Sequence, residues 1–218
     1  MSIPFAPSTH QLTIFDWIKY GKGSAVVIAR AGSGKSTTIV RGLEYIPEGA
    51  SGTIFAFNAS TAKEMAEKVE NLRIETKRAL VGFQARTFHS VGYGAVRKYL
   101  AGKTVEIDAN KSRKIIDGWL SKEEAGVYGS FIRQLVSIAK GQGVGVLVPD
   151  TEDAWYDIIA HHDISLESEH GTEGQAVVYA RQLLQRSYEV PRTGLIDFDD
   201  QLYLPLLWKL SLYQVSWV

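Results

Sequence analysis

The run Ala29-Arg30-Ala31-Gly32-Ser33-Gly34-Lys35-Ser36-Thr37 gathers two glycines, a lysine and three hydroxyls into nine residues. Those types at that spacing can enclose a phosphate chain. Gly32 and Gly34 reach backbone angles closed to other residues, so successive N–H groups can turn inward around an anion. A helix starting just behind them adds partial positive charge. Lys35 can reach the β- and γ-phosphates of a nucleotide, and the Ser36 hydroxyl can ligate Mg²⁺. The apolar run Ala25-Val26-Val27-Ile28 ahead, and the helix-like run Thr38 to Tyr45 behind, give the strand–loop–helix setting that such a loop requires. One position departs from the general pattern: Ala29 stands where a glycine is usual, six residues before the lysine. The plain alternative is a glycine-rich turn in an ordinary α/β protein. It leaves unexplained why Gly-Lys-Ser, strand and helix agree.

Other chemistry-bearing residues point less sharply. His161, His162 and His170 lie near Asp163 and Glu167. Adjacent histidines on a helix project about 100° apart and share one ion poorly, so no metal site is expected there. The basic run Lys111-Ser112-Arg113-Lys114 reads as a solvated helix face rather than a phosphate-contacting patch. Asp197-Phe198-Asp199-Asp200 offers three acids, but only Leu195 and Ile196 precede them. That is too short a strand to carry a Mg²⁺-supporting acid. Asp197 therefore reads as a helix cap, with Asp199 and Asp200 in the first turn. Trp17, Trp119, Trp155, Trp208 and Trp217 read as core residues.

The elements that must hold these residues alternate at first. The strand Ala25–Ile28 precedes the glycine-rich loop, and a second strand, Thr53 to Asn58, precedes a helix from Ser60 to Leu72. Ala62, Met65, Ala66, Val69 and Leu72 of that helix fall on one face. A shorter strand over Gln84 to Thr87 leads to a helix from Ser90 to Leu100. Strands alternating with helices imply an α/β fold with a parallel sheet. From Ala101 to about Val190 the chain reads as helices. Ser121 and Glu124 have capping-box spacing, and Phe131, Leu135, Ile138 and Ala139 form an apolar stripe. A loop is expected at Gly141 to Gly145. Thr151 caps a helix with Trp155, Ile158 and Ile159 inward, and a last helix covers Gln175 to Ser187. After Pro191 the pattern changes again, with a helix from Gln201 to Leu210 that Pro205 should kink or interrupt. Gln214 to Val218 looks like the start of a strand. The expected division is an α/β domain of residues 1–100 plus 191–218, with a helical insertion of residues 101–190.

Composition narrows the classes. The 218 residues are 45% hydrophobic and 22% charged, which are globular values, and formal net charge is zero. Neutrality argues neither for nor against nucleic acid. There is no cysteine, which excludes disulfides and thiolate metal sites and fits an intracellular, cytoplasmic compartment. No apolar run approaches a membrane span, and the start at Met1 to Phe5 lacks the features of a signal peptide.

Four patterns in order resemble the N-terminal half of superfamily 1 DNA helicases of the UvrD/Rep/PcrA type. Gln11, in Pro7-Ser8-Thr9-His10-Gln11, resembles the family's adenine-reading glutamine. The phosphate loop matches well, since these helicases often carry alanine at the place of Ala29. Phe57-Asn58-Ala59-Ser60-Thr61-Ala62-Lys63-Glu64-Met65 is similar to motif Ia at Phe57, Ala62, Glu64 and Met65, and departs at Asn58, Ala59, Ser60 and Thr61. Thr87-Phe88-His89-Ser90 matches motif Ib. Asp197-Phe198-Asp199-Asp200-Gln201-Leu202 resembles the Asp-Phe-x-Asp-Leu segment preceding motif II, with Gln201 inserted. The helical middle corresponds in position and length to subdomain 1B.

The resemblance implies a RecA-like P-loop ATPase domain 1A with a helical 1B insertion, and ATP and Mg²⁺ as cofactors. It assigns Gln11 and Ala29 to Thr37 to nucleotide binding, with Lys35 and Ser36 catalytic and Ser36 holding Mg²⁺. It assigns Phe57, Asn58, Thr87 and His89 to single-stranded DNA. The parent activity would be ATP-driven 3′-to-5′ translocation and duplex unwinding, of use in DNA repair and replication. The family's motif II, Asp-Glu-x-x-Asp, and its second RecA-like domain are expected beyond the present chain, which alone should be nearly inactive. Alternatives remain: a non-catalytic ATP- and DNA-binding module, or another phosphate-loop enzyme such as a small-molecule kinase. Phe57 is otherwise a core aromatic, and His89 a helix-start residue.

Overall fold

Apolar side chains collect into two separate cores in the computed structural model, which describes residues 5–78, 80, 82–168, 170–189 and 193–218. The chain divides accordingly into two units. One runs to Phe88 and takes in Tyr213–Val218; the other is His89–Leu212. The starting residues Met1 to Pro4 and the expected boundary at Val190–Pro191 lie outside the described residues.

In the first unit, helix α1 (Thr9–Tyr20) opens on a capping box. The Ser8 side chain accepts from Gln11 N, and the Gln11 side chain accepts from Ser8 N. Phe15 of α1 is buried and stacks on Tyr45 at 4.8 Å. Helix α2 (Lys35–Gly42) is followed by strand β1 (Ser51–Ala56), helix α3 (Ala59–Thr76) and strand β2 (Gly82–Thr87). β1 and β2 pair in parallel from Ser51↔Gly82 to Ala56↔Thr87. Two parallel strands need a long crossover, and α3 supplies it. Its inward face is Ala62, Met65, Val69 and Leu72, while Ala66, expected on that face, is exposed. Met65, Val69 and Leu72 pack with Val40, Leu43, Ile46, Leu80 and Phe83.

Two expected strands differ. Ala25–Ile28 is not a strand, and Val26 and Ile28 are almost fully exposed. A strand exists only where a neighbour takes up its backbone hydrogen bonds. Among the described residues the sheet next to β1 continues at a single residue, Trp217, which bridges in parallel to Gly52. Thr53 N donates to Trp217 O at 2.9 Å. The expected strand over Gln214 to Val218 is thus one bridge long.

The second unit is helical. It holds helices α4 (Phe88–Tyr99, from its second residue), α5 (Lys111–Asp117), α6 (Lys122–Gln142), α7 (Glu152–His161), α8 (Glu173–Glu189) and α9 (Asp200–Leu207). Two-residue strands β3 (Glu106–Ile107) and β4 (Leu195–Ile196) pair in parallel. The α6 capping box forms as its spacing implies, with Ser121 Oγ accepting from Glu124 N. α6 runs through the loop expected at Gly141 and ends at Gly143, whose φ of 73° suits glycine. Phe131, Leu135 and Ala139 are buried, with Ile138 half-buried at the margin. Thr151 caps α7 and Trp155, Ile158 and Ile159 are buried.

Pro205 does not interrupt α9, which continues to Leu207. A proline there leaves the carbonyl of Gln201 without its intrahelical donor. That carbonyl abuts Gly92 of α4, where any Cβ would collide with it. The close crossing made possible by glycine absorbs the defect made by proline. Of the five tryptophans only Trp155 is fully buried; the other four are half-buried. Large rings at helix ends cover core edges without entering them. No helix among the described residues is long and apolar enough to cross a membrane.

Candidate functional site

The glycine-rich loop Ala29–Thr37 takes the backbone angles its glycines permit, although the strand expected ahead of it, Ala25–Ile28, is not formed. Gly32 and Gly34 have φ of 76° and 81°. A Cβ at Gly32 would meet nothing, and one at Gly34 only Gln11 Nε2 at 3.6 Å. The glycines are therefore there for backbone angle, not for space. Gly34 is the N-cap of α2, and no side chain caps that end. The first-turn N–H groups of a helix lack intrahelical acceptors and suit an anion. Lys35 folds back along the loop, its Nζ donating to Arg30 O at 2.8 Å and Ala29 O at 3.3 Å. Ser36 is half-buried and Lys35 and Thr37 are exposed.

Gln11 reaches this loop from α1. Its Nε2 donates to Thr38 Oγ1 at 2.9 Å, and its Oε1 accepts from Ser8 N at 2.9 Å. Thr38 Oγ1 in turn donates to Gly34 O at 3.0 Å. A glutamine amide has two donors and two acceptor sites, so one of each remains for a ligand edge. That pair is what an adenine edge accepts and donates.

A second cluster lies at the C-terminal ends of β1 and β2. The register Ala56↔Thr87 puts Phe57, the residue after β1, and Thr87 at the same end of the sheet. Ligands of open parallel sheets bind at that end. Phe57 is 94% exposed, which removes it from the core. Asn58 is committed to structure: its Oδ1 accepts from Thr61 N at 2.8 Å and caps α3. Phe55 and Phe88 stack nearly parallel at 4.3 Å beside them.

In the second unit, His89 stacks on Phe198 with ring centroids 3.9 Å apart, and Phe198 is 56% exposed. This pair was not expected from the sequence. Its signal is the aromatic flanked by acids in Asp197-Phe198-Asp199, a polar surround unusual for a core ring. The acids themselves enter a buried ionic network. Asp197 Oδ1 accepts from Asp200 N at 2.8 Å and Asp200 Oδ2 accepts from Asp197 N at 2.9 Å, closing the turn ahead of α9. The N-cap is Asp199, with no side-chain cap bond, two residues after the cap expected at Asp197. Lys140 Nζ bridges Asp197 Oδ2 and Asp200 Oδ1 at 2.7 and 2.8 Å. Lys111 Nζ binds Asp200 Oδ2 and also Ser187 O at 2.9 Å.

Lys111 is thus fully buried, against the solvated face expected for its run. Its acidic partner lies 89 residues away, and burial without that partner would be prohibitive. Lys114 from the same run pairs with Asp108 at 2.7 Å. Burial lowers the Lys111 pKa despite Asp200. Burial opposes charge on Lys140 too, but Asp200 and Asp197 outweigh it and hold its pKa up. Burial likewise works against ionised Asp197, and Lys140 and Lys111 overcome it and hold its carboxyl below the usual range. Asp199 is pushed up by burial, with the Ser137 hydroxyl opposing.

No curated protein matches the chain. A family model for the UvrD/REP helicase N-terminal domain matches residues 14–207. The match spans the glycine-rich loop, Phe57, the Thr87–His89 segment and helices α4 to α9, with Gln11 just ahead of it. Most of the chain being covered, it belongs to the UvrD/REP helicase N-terminal domain family.

Proposed function

We propose that this chain is the ATP-binding motor portion of a DNA helicase that moves 3′ to 5′ on single-stranded DNA, built on a RecA-like domain 1A, residues 1–100 and 191–218, with residues 101–190 as its 1B insertion. The observation that carries the reading is the phosphate loop. Two positive-φ glycines, an uncapped helix start and Lys35 are joined there by Gln11 at hydrogen-bond distance from the same helix. In this reading the N–H groups from Ala29 to Thr37 receive the phosphates, and Lys35 leaves its loop carbonyls for the β- and γ-phosphates. Gln11 uses its remaining donor and acceptor on adenine. Ser36 Oγ would hold Mg²⁺, which would supply neutralisation of the phosphate charge.

DNA is met at the strand ends and on the helical unit. Phe57 and the His89–Phe198 pair offer ring faces to bases. Thr87 and the first turn of α3 behind Asn58 offer polar groups to the backbone. Stacking of this kind tolerates any sequence.

Nucleotide titration tests the reading. Lys35→Ala removes a charge-assisted contact of about 1.5–3 kcal/mol and should weaken Mg·ATP binding by about 10- to 100-fold. Equal affinity of wild type and Lys35→Ala by calorimetry would remove the loop from the nucleotide site.

A further inference from the structure

The network of Lys111, Lys140, Asp197 and Asp200 connects four helices to one short turn. Lys111 comes from α5, Lys140 from α6, the Ser187 carbonyl from α8 and Asp200 from the start of α9. Every carboxylate oxygen of the two aspartates is engaged: Asp197 Oδ1 and Asp200 Oδ2 take the reciprocal backbone bonds, Lys140 takes Asp197 Oδ2 and Asp200 Oδ1, and Lys111 adds to Asp200 Oδ2. The turn enclosed between these anchors consists of Phe198 and Asp199. Asp199 is half-buried. Phe198 is then the one residue of the four whose side chain is left outward, and it lies on His89.

A buried ion pair is weak evidence for stability, because a well-packed apolar set of similar volume often does as well. What an apolar set does not supply is direction. Four oriented acceptors and two cations define the turn to within hydrogen-bond tolerances. We infer that Lys140 and Lys111 are positioning residues: by clamping Asp197 and Asp200 they fix the turn that presents Phe198 against His89 as a preformed stacking platform for a nucleic-acid base. The inference rests on the single-stranded DNA reading for its ligand, while the clamping itself does not.

The test separates the two. The double variant Lys140→Met with Asp197→Asn removes one charge of each sign and leaves the Lys111–Asp200 pair. The amide introduced by Asp197→Asn retains an oxygen for Asp200 N. Asp197→Asn alone is a milder second variant in case the double variant does not fold, and Lys140→Arg is the conservative rescue. The first readout is the upfield ring-current shift of the His89 carbon-bound protons under Phe198, followed by NMR with far-UV circular dichroism as the fold control. The second is binding of a fluorescein-labelled oligothymidylate by anisotropy across salt, with Phe198→Ala as reference.

The expected result is a folded variant whose His89 protons move toward random-coil shifts. Its DNA affinity should fall toward that of Phe198→Ala at unchanged salt slope, because stacking releases no counterions. Lys140→Arg should restore both. A folded variant with wild-type His89 shifts and wild-type DNA affinity overturns the positioning role, even where Phe198→Ala binds weakly. If Phe198→Ala binds DNA as wild type does, the DNA reading of this platform fails, and the His89 shifts alone decide whether the lysines position it.

Discussion

A phenylalanine ring that stays 94% exposed forgoes most of the free energy that its burial would yield, on the order of 1.5–3 kcal/mol. Phe57 does so at the ligand-binding end of a parallel sheet, beside the stacked Phe55–Phe88 pair. Its truncation should leave folding nearly unchanged, since it packs against little. Phe57→Ala should weaken single-stranded DNA binding by the about 1–3 kcal/mol of one stacked base, with the slope of affinity against salt preserved. Anisotropy at several salt concentrations measures both. Affinity equal to wild type throughout would take Phe57 off the DNA path. At this scale the sequence was informative where chemistry is local. Gly32, Gly34, Lys35 and the Ser121–Glu124 cap act within a few residues of one another, and their spacing carries the structure. It left Phe57 between core and surface, because an aromatic after a strand reads the same in either place. It could not find Phe198, whose partner His89 is distant in the chain.

Elements follow the same division. Helices α3, α4, α8 and α9 announced themselves through apolar spacing and caps and formed within a few residues of their expected bounds, whereas α1 was not expected. The strand Ala25–Ile28 did not form, since apolar composition proposes a strand but only a neighbour makes one. Lys111 shows the limit for helices: its run looks solvated until α9 brings Asp200 to it. The α4–α9 crossing gives a paired prediction. Gly92→Ala should destabilise the helical unit by about 1–3 kcal/mol or more, through overpacking against the Gln201 carbonyl. Gly94→Ala, two residues along in open space, should instead stabilise it by up to about 1 kcal/mol. Urea unfolding of both variants measures this, and equal effects would mean that the crossing is loose. The ionic network adds a pH dependence. The Asp197 carboxyl is lower in the folded chain than in the unfolded one. Its contribution is therefore complete above about pH 4 and lost as pH falls through the folded value. Asp199, raised by burial, has the opposite sign and gains stability as it protonates. Asp197→Asn should flatten the acid limb of an unfolding series from about pH 6 to about pH 3. An unaltered limb would show that Asp197 does not drive it.

Taken as a whole molecule, the chain carries a glycine-rich loop whose preceding strand is not formed, and its acids at Asp197 to Asp200 are already occupied. ATP hydrolysis by a P-loop enzyme needs a carboxylate to support Mg²⁺ and another group to orient or deprotonate water. The 218 residues contain no Asp-Glu pair of the kind that motif II supplies. The acids that best resemble substitutes are Asp197, Asp199 and Asp200. Asp197 and Asp200 are neutralised by Lys140 and Lys111, and burial favours the neutral form of Asp199. Releasing either lysine partner would strand a buried cation, at a cost of about 3–5 kcal/mol, so a bound Mg²⁺ does not easily recruit them. The 218-residue polypeptide should therefore bind Mg·ATP yet turn it over negligibly. The missing general base alone removes about 10²–10⁴ in rate. Steady-state phosphate release with and without single-stranded DNA is the measurement, with Lys35→Ala as the control for contaminating ATPase. Turnover that DNA stimulates to about one per second, and that Lys35→Ala abolishes, would contradict this and assign catalysis to one of the three aspartates. In that event the same assay on Asp197→Asn and Asp199→Asn would identify which, and the clamped turn would have to open during the cycle.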